Sequence, residues 1–195
     1  MRLGRCFFNR DTNVVAQELL GKVLVVAGKR GEIKKTIITE TEAYHGFDDR
    51  ASHASRKKTE RNKVMFDKAG LVYIYLIYGM HWCLNFTTMP KGFPAAVLVR
   101  GIALKIPSTK SQCPNKSQVP NPKLKIEGPG RVCKYLGIDK TFYGEDLTKS
   151  KKIWIENVET RFIASKKSDI ISSRRIGVDY AGESKDLLWN YKIKV

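Results

Sequence analysis

The chain has 195 residues, with 36 lysines and arginines against 19 aspartates and glutamates, a formal net charge of +17. That length suits one compact core, and 42% hydrophobic residues with 10% aromatics exclude a disordered basic tail. A surface so positive favours phosphate-bearing partners, nucleic acid ahead of anionic lipid, over a merely soluble basic protein.

The opening, Met1-Arg2-Leu3-Gly4-Arg5, runs into Cys6-Phe7-Phe8 without the long apolar stretch of a signal peptide. Asp11 is placed to cap a short helix in which Val14, Val15, Leu19 and Leu20 share one side, with Gly21 as its left-handed stop. Lys22-Val23-Leu24-Val25-Val26 and Thr36-Ile37-Ile38-Thr39 are β-branched runs that read as two strands around a turn at Gly28-Lys29-Arg30-Gly31. Glu40, Glu42 and Tyr44 continue the second run with period two, which puts Glu42 and Tyr44 on one face. Residues 48–63 turn polar and basic and read as a loop or short helix.

Two strong strands follow, Leu71-Val72-Tyr73-Ile74-Tyr75-Leu76-Ile77 and Trp82-Cys83-Leu84-Asn85-Phe86-Thr87, joined at Tyr78-Gly79-Met80-His81 by a hairpin tip with Tyr78 on its corner. Residues 69–90 lack Lys, Arg, Asp and Glu, but polar residues and Gly79 interrupt them too often for a membrane-spanning helix, so a soluble protein is expected. Residues 95–106 are again β-rich and carry Arg100 between Val99 and Gly101. Residues 108–125, with Pro114, Pro120 and Pro122, read as a flexible surface loop inside a single domain spanning 1–195. Gly128-Pro129-Gly130 leads into a short helix from Arg131 to Leu136 that stops at Gly137. Residues 152–158 are a strand candidate, and 170–195 lean towards β around Arg174-Arg175-Ile176-Gly177-Val178.

Glu42 stands in a segment too apolar for an ordinary charged face. It is either an ion-pair partner or a carboxylate that deprotonates a water, with Arg100 as the matching cation in either case. Tyr44, His53, Tyr73, Tyr75 and Tyr78 are an aromatic set in a basic protein, and stacking with charge is how proteins hold unpaired bases. Tyr73 suits the core, whereas Tyr78 at a hairpin tip suits a wedge between base pairs. Gly130 and Arg131 at a helix start are suited to phosphate. Phosphate-loop, dinucleotide-binding and zinc-deaminase motifs are absent. The four cysteines form no C-x-x-C pair and the three histidines complete no zinc set, so a reducing compartment, no metal and no cofactor are expected.

The ordered motifs Thr39-Glu40-Thr41-Glu42-Ala43-Tyr44, Ala51-Ser52-His53, Arg61-Asn62 with Met65-Phe66, Tyr73-Ile74-Tyr75-Leu76-Ile77-Tyr78-Gly79-Met80, Leu84-Asn85, Val97-Leu98-Val99-Arg100, Gly128-Pro129-Gly130-Arg131 and Arg175-Ile176-Gly177-Val178 resemble, in collinear order, the alkyladenine (3-methyladenine) DNA glycosylase family. The resemblance implies an α+β domain around a curved antiparallel β-sheet, with short helices and a protruding β-hairpin that inserts into DNA. It implies a monofunctional hydrolase that flips 3-methyladenine- and 7-methylguanine-type purines out of duplex DNA and cleaves the N-glycosidic bond in base excision repair. Glu42 would be the general base and Arg100 its helper. Tyr44, His53, Tyr75, Asn85 and Ile176 would form the base pocket, Tyr78 would intercalate, and Arg131 and Gly130 would meet the DNA backbone. The implied partner is double-stranded DNA containing alkylated purines, bound by a monomer without membrane association, in the bacterial cytoplasm or nucleoid or the eukaryotic nucleus. Gly101-Ile102-Ala103-Leu104 stands where that family commonly reads Ala-Leu-Glu-Pro. A non-catalytic nucleic-acid-binding protein and a hydrolase of small anionic metabolites remain as alternatives from the residues themselves.

Overall fold

The β-branched runs pair as expected, and several extend beyond their sequence limits. The structure, a computed structural model, describes residues 1–28, 31–104, 125–157 and 169–194. The strands are β1 (Val23–Ala27), β2 (Ile33–His45), β3 (Val72–Ile77), β4 (His81–Thr87), β5 (Ala95–Leu104), β6 (Lys125–Glu127), β7 (Ile153–Glu156), β8 (Ile170–Ser173) and β9 (Asn190–Ile193). All pairings are antiparallel and make one curled sheet in the order β3-β4-β5-β2-β1-β7, with β6 on β5 and the β8–β9 pair on β2. This half-barrel with a few short helices is a single α+β domain. Residues 69–90 supply β3, β4 and their flanks, and no helix among the described residues is long and apolar enough to cross a membrane.

Helix α1 (Arg5–Phe8) is a single turn with no sequence signal. Helix α2 (Thr12–Leu19) starts at Asp11, whose carboxylate accepts from the backbone of Asn13 and Val14. It buries Thr12, Val15, Ala16 and Leu19 against β2, while Val14 points to solvent, contrary to the expected grouping. The helical period explains this: Val14 lies about 100° round the axis from Val15. Helix α3 (Pro129–Leu136) packs on β4 and ends at Gly137 in the left-handed region (φ 73°). It begins at Pro129, so Gly130 lies inside its first turn.

In β2, one edge pairs with β5 from Thr36 to His45. The other pairs with β1 over residues 33–37 and then with β9 over residues 40–42. Between Ile38–Ile102 and Thr41–Val99 the register slips twice in opposite senses. Thr39 on β2 and Arg100 on β5 are left without an opposite number. Each slip turns its strand over. Ile38 and Ala43 therefore both face the main core despite their odd spacing, as do Ile102 and Val99. Beyond the slip, Glu42 and Tyr44 come to the other face, opposite Leu98 and Ala96.

Two further expectations need correction. The stretch from Arg174 to Val178 is a non-regular segment between β8 and β9, because Arg175 is drawn into the interior and Gly177 takes φ 77°. The hairpin tip is Tyr78-Gly79-Met80, since His81 already pairs with Ile77. Lys125 opens β6, and the rest of the 108–125 stretch lies outside the described residues.

Gly101 makes the double slip possible: a Cβ there would stand 2.9 Å from the Glu40 Cβ and 3.0 Å from Thr39 Oγ1. Gly101→Val should therefore lower stability by about 1–3 kcal/mol, as overpacking does. Denaturant titration measures this, and unchanged stability would show that the β2–β5 contact can relax.

Candidate active site

The face turned outward by the slip forms the wall of a cavity of about 540 Å³. Tyr44, His53, Tyr75, Asn85, Arg100 and Ile176, all expected at the site, line it, and so does Tyr78 at the mouth. Glu42 itself is fully buried and does not reach the cavity surface. It sits immediately behind Tyr44, Arg100 and Ile176. Its Oε2 accepts from the Tyr44 hydroxyl (2.9 Å), and its Oε1 accepts from the Ile176 backbone N–H (2.8 Å) and Asn190 Nδ2 (3.0 Å). Arg100 Nε lies 3.4 Å from the same Oε1 and 3.3 Å from Glu40 Oε1. Asn190 Nδ2 also donates to Glu40, at 3.0 Å. A carboxylate in such a place is tolerable because donors and a cation replace its hydration.

Three residues that the sequence left without a role complete this arrangement. Arg175 and Asp49 form a fully buried two-pronged ion pair, with Arg175 Nη1 at 2.6 Å from Oδ2 and Nη2 at 2.8 Å from Oδ1. The guanidinium also donates to the carbonyls of Ala43 and Ser184 and lies between the rings of Tyr44 and Trp189, 4.9 and 5.1 Å from their centroids. It thereby fixes the backbone of its neighbour Ile176, whose side chain is exposed while its N–H turns in to Glu42. Asn190 comes from β9 and joins Glu40 to Glu42. No local motif announces any of the three, since their partners lie far away along the chain.

The cavity walls are largely aromatic and apolar, with Arg61 and Arg100 as their cations. Burial, followed by the nearby Glu42 carboxylate, raises the Tyr44 hydroxyl well above its ordinary value, and burial does the same for Tyr75. Tyr75 meets the edge of His53 (4.5 Å between centroids), and the Arg61 guanidinium lies 5.2 Å from its ring centre. His53 Nδ1 and the Tyr73 hydroxyl are 3.0 Å apart. Although His53 as a residue is exposed, the enclosure of its ring and then the charge of Arg61 lower its pKa to about 4. Tyr73 is buried, as expected. Asn85 is buried with its amide fixed, Nδ2 donating to the carbonyls of Tyr73 and Cys83. Cys83, also on the wall, is pushed up to about 11 by burial and stays a neutral thiol.

Tyr78 is 86% exposed, and both it (φ 51°) and Gly79 (φ 69°) adopt left-handed backbone, with the Met80 N–H donating to the Ile77 carbonyl. Such a turn favours Asn-Gly; a large aromatic in its first central position is strained and held clear of the protein's own surface. Gly130 packs against His81, where a Cβ would come within 3.0 Å of the His81 Cβ, and Arg131 is exposed.

A profile of the methylpurine-DNA glycosylase family matches residues 6–195. A Rickettsia felis protein provisionally named 3-methyladenine DNA glycosylase is 41% identical, over 98% of this chain and 92% of its own length. Provisionally named proteins of the same description from Rickettsia bellii (39% identical, 98% of this chain, 92% of theirs) and Rickettsia conorii (41%, 97% and 88%) are similar to it in the same way.

The state of His53 has a measurable consequence. An ordinary histidine ionises near 6.5 and this one at about 4, so between those values the unfolded chain takes up a proton that the folded protein does not. Its contribution to stability is complete above about pH 6.5 and is lost as the pH falls towards 4. In an NMR titration His53 should stay neutral from pH 8 to about 5, and Arg61→Gln should raise its midpoint part of the way, since enclosure of the ring is the larger cause. A wild-type midpoint near 6.5 would contradict the enclosed ring.

Proposed function

Because the chain belongs to the methylpurine-DNA glycosylase family, and is thus a DNA glycosylase, a hydrolase of DNA repair, we propose that it flips alkylated purines out of duplex DNA and hydrolyses their N-glycosidic bonds, with Glu42 as the general base. The observation that carries this reading is the buried Glu42 carboxylate, clamped behind the floor of an aromatic cavity whose mouth carries an exposed tyrosine. A non-catalytic nucleic-acid-binding protein would account for the charge and for Tyr78. It would have no use for a carboxylate withdrawn from water at such expense.

Oε1 is taken up by Ile176, Asn190 and Arg100, whereas Oε2 accepts from Tyr44 and keeps acceptor capacity for a second donor, which reaches it once the fully buried carboxylate is opened to the cavity. In this reading the attacking water donates to Oε2. Its oxygen bonds to the sugar C1′, the bond from C1′ to the purine nitrogen breaks with its electron pair going to the base, and the water's proton goes to Glu42. A purine methylated at N3 or N7, as in 3-methyladenine or 7-methylguanine, is cationic and already a good leaving group, so acid catalysis is dispensable. Tyr44, Tyr75 and a neutral His53 offer that cation aromatic surface, with the guanidinia of Arg175 and Arg61 already lying against the rings of Tyr44 and Tyr75. Asn85, fixed by its backbone contacts, narrows the cavity beside the base.

Outside the cavity, Tyr78 fills the gap left by the flipped nucleotide, and Gly130 and Arg131 at the start of α3 meet the DNA backbone. On this reading the protein works as a monomer inside the cell.

Glu42→Gln keeps the shape of the side chain and removes the base. Single-turnover excision of a methylated purine should fall by about 10²–10⁴-fold with duplex binding retained. Excision at the wild-type rate would remove Glu42 from the mechanism. For Tyr78→Ser, the flipped state should lose roughly 1–3 kcal/mol, the worth of one base–aromatic stack. A fluorescent base-analogue reporter reads this, and the loss should shrink where the lesion sits opposite a mismatch or gap. Equal reporter signals for both proteins on fully paired DNA would deny Tyr78 the wedge role.

A further inference from the structure

Glu40 is a buried carboxylate for which the reading above has no use. It is 5% exposed, on the strand that carries Glu42, and it shares two partners with Glu42: Arg100 Nε (3.3 Å to Glu40, 3.4 Å to Glu42) and Asn190 Nδ2 (3.0 Å to each). Among these three charged groups, two carboxylates face one mostly enclosed guanidinium, leaving a net charge of −1. The other charges nearby do not cancel it. Lys192 on β9 is 3.9 Å from Glu40 but 2.9 Å from the exposed Glu127 on β6, and its side chain is 40% exposed. Asp49 and Arg175 neutralise each other. The hydroxyls of Tyr44 and Tyr75 and the Cys83 thiol are uncharged, and Arg61 stands in solvent at the mouth.

We propose that Glu40 is a positioning residue that sets the charge of the reaction site: it shares Arg100 and Asn190 with Glu42 and keeps the trio at −1. The proposal rests on the reading of Glu42 as the residue nearest the reacting sugar. When the glycosidic bond breaks, positive charge that began on the purine appears on the sugar ring. A site that kept only Glu42 and Arg100 would be a neutral ion pair there. Glu40 competes with Glu42 for the same Arg100 Nε, 3.3 and 3.4 Å away, so the guanidinium cannot cancel Glu42 alone, and the remaining negative charge, fixed in a poorly solvated site, acts on the transition state without reorganising. Two like charges sharing one arginine are unfavourable for folding, and a site that stabilises a developing cation accounts for their retention.

Binding of duplex DNA with a pyrrolidine abasic nucleotide, cationic at the sugar, against the neutral tetrahydrofuran analogue tests this directly. The wild-type protein should prefer the cation. Glu40→Gln, with melting temperature checked, should reduce that preference by on the order of 10- to 50-fold, the effect of one charge several ångströms away in a poorly solvated site. Glu40→Asp, which keeps the charge, should retain most of it. Glu18→Gln, which removes one charge from exposed helix α2, should leave the ratio unchanged. An undiminished ratio in folded Glu40→Gln overturns the proposal. Should that variant fail to fold, Lys192→Met removes a half-exposed cation beside Glu40 and should raise the ratio; an unchanged or lower value overturns the proposal equally. The two readings fail separately: wild-type excision by Glu42→Gln defeats the general base, whereas an inactive Glu42→Gln beside a wild-type ratio in Glu40→Gln defeats only the role of Glu40.

Discussion

Withdrawing the Glu42 carboxylate from water is the constraint around which the rest of the molecule is arranged. Alone in an apolar interior it would be protonated or would unfold its surroundings. It is tolerated because Tyr44 on β2, Arg100 on β5, Asn190 on β9 and the backbone of Ile176 converge on it. Asn190 lies 148 residues further along the chain and the Ile176 N–H 134. The site therefore comes into being only when the last strand has docked on the second. Its two halves are held by the pairing of β9 with β2 and by the buried Asp49–Arg175 pair, and removing one member of such a pair strands the other at a cost of about 3–5 kcal/mol.

One strand has to serve two masters, and the double slip between β2 and β5 reconciles them. With strict alternation, the face that presents Thr36 and Ile38 to the core would also have carried Glu40 and Glu42 into it. Leaving Thr39 and Arg100 unpaired turns both strands over together, so that Ala43 and Val99 continue the core and Glu42, Tyr44 and Leu98 face the cavity side. Arg100 is itself one of the two extra residues. The irregularity that turns the strand also releases the cation that the carboxylates need, and Gly101 beside it leaves room for the close approach of Glu40.

What the sequence made legible was local. Period two placed Glu42 and Tyr44 on one face, two strands around Tyr78-Gly79 announced the hairpin, Asp11 marked its helix start and Gly137 a helix end. Hydrophobic pattern and turn chemistry depend on near neighbours, and they carried these features. The double slip left no mark, because Thr39 and Arg100 look like ordinary strand residues until their partner strand is known. Asp49 was hidden in a polar stretch and Arg175 in an apparent strand, since the pairing that explains both spans 126 residues. Glu40 read as the first residue of a period-two run with Glu42 and Tyr44, and only their contacts separate the two carboxylates: Tyr44 and the Ile176 N–H on Glu42, Lys192 on Glu40.

The aromatic walls follow from the same constraint. On the proposed function, a cavity that takes a cationic base has to keep uncancelled cations out of its depth, yet the chain carries a net charge of +17. The fold separates the two requirements by depth. Arg61 stands at the mouth, where water screens it, and Arg131 lies exposed at the start of α3. Deeper in, Arg175 is cancelled by Asp49 and Arg100 is outnumbered by Glu40 and Glu42. Arg61 also acts inward through His53: with the enclosure of that ring it keeps the imidazole neutral, so the one wall residue able to gain a positive charge near physiological pH does not do so. On the proposed function, positive charge outside would draw in the polyanion, and net negative charge within would meet the cationic base and then the sugar that inherits its charge.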